Sequence, residues 1–156
     1  PGVLYRGGDE KKIRQYLIKN NYVDTVIQLP ANLFFGVGIA TCIIVLKKSA
    51  KRDASVLFID ASKLFQKNGN KNILQPEHQD KIMELFQNRK DEQYLAKLVK
   101  NDDILANDCN LSVSSYVEQE DTREVIDITE VNAKLKSLIA EGDAFNEKIA
   151  KMIETL

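Results

Sequence analysis

One histidine, His78, and two cysteines, Cys42 and Cys109, are the whole supply of imidazole and thiol groups in this 156-residue chain. Neither cysteine has a ligand partner at a suitable interval, and His78 has none either, so the usual zinc patterns are excluded. His78 lies between Glu77 and Asp80 at a helix start and reads as a solvent-exposed residue rather than a catalytic one. Cys42 sits in an apolar run, where a thiol acts as a small buried hydrophobe. Nothing asks for an oxidising compartment, which points to the cytoplasm. Apolar runs stop well short of the ~20 residues that span a bilayer, so no membrane role is expected. The chain opens on Pro1-Gly2-Val3-Leu4, without the basic-then-apolar start of a signal peptide. It lacks Met at position 1 and runs at once into an apolar stretch and Gly7-Gly8, which suggests a fragment beginning inside a domain. Gly36-Val37-Gly38 precedes a strand instead of opening a helix, so it is no dinucleotide fingerprint, and there is no phosphate loop.

What is present is an ordinary soluble balance, 44% hydrophobic and 29% charged, sufficient for one compact domain or a small domain with an appendage. The net charge of -1 hides an asymmetry. Residues 1–52 hold nine Lys/Arg against Asp9, Glu10 and Asp24, a net of +6, which leaves −7 for the remainder. That is compatible with nucleic acid at one end only, or with solvated helix faces and strand ends.

Asp9 is placed to cap a helix reaching about Asn20, with Ile13, Tyr16 and Leu17 on one face. Tyr22 to Leu29 is rich in β-branched residues and stops at Pro30, the pattern of a strand. Ala31 to Gly38 reads as a loop. Ile39 to Leu46 reads as a strand buried on both faces. Lys47 to Asp53 reads as a charged turn, and Ser55 to Asp60 as another strand. So few elements cannot cover both faces of such strands, and an upstream half is expected to be missing. Lys67 to Asn72 reads as a surface loop. Pro76 opens a helix with Ile82, Leu85 and Phe86 on its apolar stripe. A second helix is expected through Tyr94, Leu95, Leu98 and Val99, then extended structure from Asn107 to Val117.

Asp127-x-x-Glu130 resembles a capping box that opens the clearest periodic signal in the chain. Ile128, Val131, Leu135, Leu138, Gly142, Phe145, Ile149, Met152 and Leu156 recur at alternating spacings of three and four, a heptad seam over about four repeats. Such a helix packs either on its own domain core or on a partner. Its place after a polar linker favours the partner.

Leu29-Pro30-Ala31-Asn32-Leu33-Phe34-Phe35-Gly36-Val37-Gly38 is the segment most suggestive of chemistry. Phe34 and Phe35 either tuck into the local core or form a platform on which an extruded base stacks.

Gly2-Val3-Leu4-Tyr5-Arg6-Gly7-Gly8, Lys12-Ile13-Arg14, Leu17, the block from Val26 to Cys42 and Val45-Leu46-Lys47-Lys48 together resemble the N6-adenine DNA methyltransferase subunit of type I restriction-modification systems. Val56 to Ser62 and Asn107 to Ser112 continue the resemblance, which runs in consistent order over residues 2–117. It implies an α/β fold: the C-terminal part of a Rossmann-like S-adenosylmethionine-dependent methyltransferase sheet, including its terminal antiparallel pair, followed by a helical C-terminal region. The implied divisions are 1–62 for the strands, 63–117 for a mixed helical extension, 118–127 for a linker and 128–156 for an assembly helix. The resemblance implies that Phe34 or Phe35, with Phe34 preferred, stacks on the flipped adenine. Cys109 stands where an aromatic is expected. The family's cofactor glycine motif and Asn-Pro-Pro-aromatic loop are both absent from this sequence, so no cofactor-binding and no catalytic residue is expected here and the chain alone should be inert. The implied partners are DNA, the specificity subunit and the restriction subunit, with Val131, Leu135, Leu138, Phe145, Ile149 and Met152 docking on the specificity subunit's helices. Without that partner the helix should pair with its own copy or fold back. The competing reading is a non-enzymatic assembly module that docks a coiled-coil partner.

Overall fold

The computed structural model describes residues 2–48, 53–120 and 128–154. Four expected features fall wholly or partly outside them: the middle of the 47–53 turn, most of the 118–127 linker, the Asp127 cap and Leu156. The chain divides into two compact units, 1–120 and 121–156.

The first unit is built on a mixed four-stranded sheet. Helix α1 (Asp9–Lys19) leads into β1 (Val23–Gln28), followed by β2 (Cys42–Leu46) and β3 (Ser55–Asp60). A short hairpin of β4 (Gln66–Asn68) and β5 (Lys71–Ile73), helix α2 (Pro76–Asn88), strand β6 (Ala96–Lys100) and helix α3 (Asn101–Ala106) complete it. The sheet order is β2-β1-β3-β6. Strands β1 and β3 are parallel, with Gln28 opposite Asp60, while β2 and β6 run antiparallel to their neighbours.

Alternation along β3 sends Val56 and Phe58 to one face and Leu57 and Ile59 to the other. Val56 and Phe58 meet Ile18, Ile104, Leu111 and Val113. Leu57 and Ile59 meet Ile27, Leu29, Ile82 and Leu85. The chain's own helices therefore cover β1 and β3 on both faces, contrary to the expectation that so few elements could not. Strand β2 departs from expectation in the opposite direction. Its apolar run predicts burial on both sides, yet Ile43, Ile44 and Leu46 are exposed and its outer edge pairs with no strand among the described residues. An edge strand presents N–H and C=O groups with which a further strand can pair.

Local signals misplace several other features. Gly8, at φ 70, holds the N-cap position of α1, and Asp9 instead pairs with Lys12 at 2.9 Å. The buried face of α1 is centred on Arg14 and Ile18, whereas Ile13 and Tyr16 are exposed. Arg14 is tolerated inside because its Nε donates to the Cys109 carbonyl and its Nη1 to the Val3 carbonyl, both at 2.8 Å. That bond gives Cys109, buried and at φ 55, a part in the architecture through its backbone. Of the residues read as a helix, Tyr94 and Leu95 lie in a turn and Leu98 and Val99 in β6, because pairing with β3 outweighs their spacing. A turn with Tyr94 at φ 62 sets up that pairing. Asn101–Ala106 folds as α3, a helix the sequence pattern does not announce. The stretch expected to be extended up to Val117 contains a 3-10 turn at Val113–Ser115. His78 is half-buried rather than solvent-exposed: its Nδ1 accepts the Gln75 backbone N–H at 3.2 Å, capping α2. The 67–72 loop is the β4–β5 hairpin, with Gly69 at φ 60 at the first central position of a two-residue turn.

The second unit is a single helix, α4 (Ile128–Glu154), continuous through Gly142. No helix among the described residues is long and apolar enough to cross a membrane.

Candidate functional site

Pro30 ends β1 because it lacks the N–H a further ladder bond would need. Across the mouth of the loop that follows, Leu29 N–H donates to the Thr41 carbonyl at 2.9 Å. Within it, Val37 N–H reaches back to the Phe34 carbonyl at 3.2 Å, closing a four-residue turn over 34–37. Gly36 sits at φ 71, third in that turn. Such a turn demands positive φ at its third position, where glycine carries no steric cost. The turn decides the fate of the three adjacent hydrophobics. Leu33 packs against the core beneath the sheet. Phe34, first in the turn, is 51% exposed, and Phe35, at its tip, is 86% exposed. Of the two readings left open by the sequence, burial of the pair is the one that fails.

The loop rests on the β4–β5 hairpin. Asn72 N–H donates to the Asn32 carbonyl at 3.0 Å, and Asn72 Nδ2 donates to the Ala31 carbonyl at 2.7 Å. Gln75 Nε2 donates to Gln66 Oε1 at 2.6 Å, tying the hairpin to the start of α2. Lys71 Nζ lies 4.2 Å from the centroid of the Phe35 ring. Between loop and hairpin lies an open cleft of about 230 Å³, lined by Asn32, Phe34, Val37, Asn70 and Lys71 together with Gly36 and Gly38. It stands past the carboxyl ends of the parallel strands, the edge where open α/β sheets bind ligands. Sequence reading found the aromatics but missed the hairpin; Asn68-Gly69-Asn70 was the available turn signal.

The cleft offers an aromatic face, amide groups and one ammonium, with no carboxylate, histidine or thiol in its lining. Titratable groups with displaced pKa values lie elsewhere. Hydrogen bonding to Asp91 raises Lys97, the Lys97 bond lowers Asp91, and burial pushes the Tyr116 hydroxyl up. Among the described residues no cluster of His, Cys, Asp or Glu is suited to a metal ion.

Residues 1–125 match the N-6 DNA methylase family. The chain belongs to that family. Over its whole length it is 38% identical to the methylase subunit of the type I restriction enzyme MpnII of Mycoplasma pneumoniae, and it spans 29% of that relative. The crystal structure of the type I restriction-modification methyltransferase subunit of Streptococcus thermophilus is similar at 43% identity and a TM-score of 0.74. That match covers 76% of this chain and 25% of the other. A chain from a structural study of complex assembly and conformational transition in the type I system shares the fold over 99% of this chain. Its TM-score is 0.60 and its identity 17%, and 34% of its length is covered. The chain thus spans roughly a quarter to a third of each of these relatives. The six docking candidates of α4 all fall beyond residue 125, outside the family match. Val131, Leu135, Leu138, Phe145, Ile149 and Met152 are each more than half exposed.

Proposed function

We propose that this chain is the C-terminal portion of the S-adenosylmethionine-dependent, adenine-N6 DNA-methylating subunit of a type I restriction-modification system. Its fold corresponds to the last strands of a Rossmann-like methyltransferase sheet. The outer edge of β2 receives the rest of that sheet, and α4 docks on the specificity subunit, with which the restriction subunit completes the complex. The loop after β1 supplies the target-base side of the site. The observation that carries this reading is the 34–37 turn, which holds two phenylalanines out of the core at the ligand-binding edge of the sheet.

Phe34 is the stacking surface. It lines the cleft, whereas Phe35 stands outside the lining and carries the Lys71 ammonium on its ring. The cofactor supplies the methyl group; the residues here orient the base and shield it from water. They do not build the cofactor's cradle. Gly7 and Gly8 do open a helix, but a 3-10 turn at Gly2–Leu4 precedes them, where a nucleotide-binding glycine loop requires a strand.

Two results test this. Calorimetry of the chain with S-adenosylmethionine should give no saturable heat, and micromolar binding would mean the cofactor site is misplaced. In the full-length subunit, Phe34→Ala should lower methylation through weaker binding of the flipped adenine, by roughly 1–3 kcal/mol. Its melting temperature should hardly change, since Phe34 is half exposed. Unfolding by Phe34→Ala together with a silent Phe35→Ala would make Phe34 a core residue and end the stacking reading.

A further inference from the structure

The hairpin beside the aromatic turn has no part in the function described so far, and its composition is unusual for this chain. Residues 61–75 contain Lys63, Lys67 and Lys71 with no Asp or Glu, in a protein whose net charge is -1. The loop side, residues 29–46, contains no carboxylate either. Lys63 pairs with Glu120 at 3.6 Å. Lys67 and Lys71 have no carboxylate partner among the described residues. Lys71 is held in place by what surrounds it. The two Asn72 bonds fix its strand to the loop, the ring of Phe35 lies under its ammonium, and its neighbour Asn70 shares the cleft wall.

A stacking surface alone binds bases weakly and without direction along the strand. Proteins that hold single-stranded nucleic acid combine aromatic platforms with cations that track the phosphates. Here both elements line one cleft, and the cation is carried by a separate element anchored to the loop through main-chain carbonyls. We propose that the β4–β5 hairpin is the phosphate-holding arm of the site, with the Lys71 ammonium pairing with a backbone phosphate of the strand whose base stacks on Phe34. Phe35 then serves as the perch that keeps Lys71 over the cleft. The Asn70 amide is placed to donate to the same phosphate or its sugar. The ligand class is a nucleotide within single-stranded or locally opened DNA. This rests on Phe34 being the stacking surface, and the experiment separates the two claims.

The probe is a short fluorescein-labelled oligo(dA) strand, titrated with the intact chain and read by anisotropy across a series of salt concentrations. A base already unstacked from a duplex needs no flipping, so the cleft is tested directly. Wild type should bind saturably, with affinity falling as salt rises. Each phosphate contact on a single strand contributes about 0.7 to the slope of log affinity against log salt. Lys71→Gln should weaken binding and reduce the slope by about that amount, and Lys71→Arg should restore it. Phe34→Ala should weaken binding at unchanged slope. Lys97→Gln, outside the cleft and paired with Asp91 at 2.6 Å, should leave the slope as in wild type. Wild-type slope and affinity in Lys71→Gln, with Phe34→Ala still impaired, would overturn the phosphate arm and leave the stacking surface standing. Slope lost in Lys71→Gln with Phe34→Ala silent would remove the stacking surface and keep the arm. Absence of saturable binding by wild type would remove both.

Discussion

Deleting residues 128–156 from the full-length methylating subunit is expected to abolish its co-purification with the specificity subunit while leaving S-adenosylmethionine binding intact. The argument begins with exposure. Val131, Leu135, Leu138 and Ile149 are 52%, 53%, 58% and 53% exposed, and Phe145 and Met152 more so. Full burial of side chains of this size contributes roughly 1.5–3 kcal/mol each, and a helix of 27 residues is about 40 Å long. A seam of that length, spaced by alternating threes and fours, presents knobs to a neighbouring helix over several turns. Ile139 and Ile153 widen the apolar surface beyond the seam. Ordering and association costs consume much of the gross gain, yet enough area remains that losing the helix should reduce affinity by orders of magnitude rather than trim it. The first unit has its own two clusters of buried residues, so the truncated subunit should still melt cooperatively. An undiminished complex after deletion would sink the docking role. Without its partner the intact chain should show concentration-dependent mass in sedimentation, from the seam pairing with a second copy.

The features legible in the sequence were those whose signal is local and sustained. The β-branched run of β1, the Pro76 start of α2 and the heptads of α4 each repeat one message over a turn or more. The aromatic loop was legible because Pro30, Gly36 and Gly38 punctuate it. Features that depend on distant contacts were not. Residues 94–99 carry a helix-like spacing, and only pairing with β3 makes 96–100 a strand. Arg14 on α1 reads as a solvated charge until the Val3 and Cys109 carbonyls are seen beside it. Lys71 has no signature at all, since its significance comes from Phe35, far away in the chain. The β2 run reads as a strand buried on both faces; it is a strand, but at the edge of the sheet Ile43, Ile44 and Leu46 stay exposed, which no local pattern announces.

Phe58→Ala is expected to cost the first unit roughly 3–5 kcal/mol, against the ~5–15 kcal/mol total stability of a typical domain. Phe58 is fully buried in the middle of β3, between Val26 of β1 and Lys97 of β6. Its ring stacks on Tyr116 with centroids 4.3 Å apart and planes 28° from parallel. Tyr116 is in turn fixed by its hydroxyl, which donates to the Asn110 carbonyl at 2.7 Å and accepts from Asn107 Nδ2 at 3.2 Å. Removing the ring therefore opens a cavity and also frees the 107–116 segment that closes this face of the sheet. Urea melts should show a midpoint far below wild type. Phe58→Leu, which keeps most of the volume, should fall between the two. A double-mutant cycle with Tyr116→Leu should give a coupling of about 0.5–1.5 kcal/mol, the share of the ring pair beyond simple burial. Ile13→Ala, on the exposed face of α1, should barely move the midpoint, as surface substitutions usually do. A Phe58→Ala midpoint indistinguishable from that of Ile13→Ala would mean that the central strand is not the core described here. Phe58 and Phe34 then make opposite demands of the same residue type. Strand β3 ends at Asp60, and Ala61 N–H bonds to the Gln28 carbonyl at 2.9 Å, immediately below the aromatic loop. Phe58→Ala should lose binding of oligo(dA) at a lower urea concentration than wild type, as the support of that loop unfolds, whereas Phe34→Ala should weaken binding in a protein that melts like wild type.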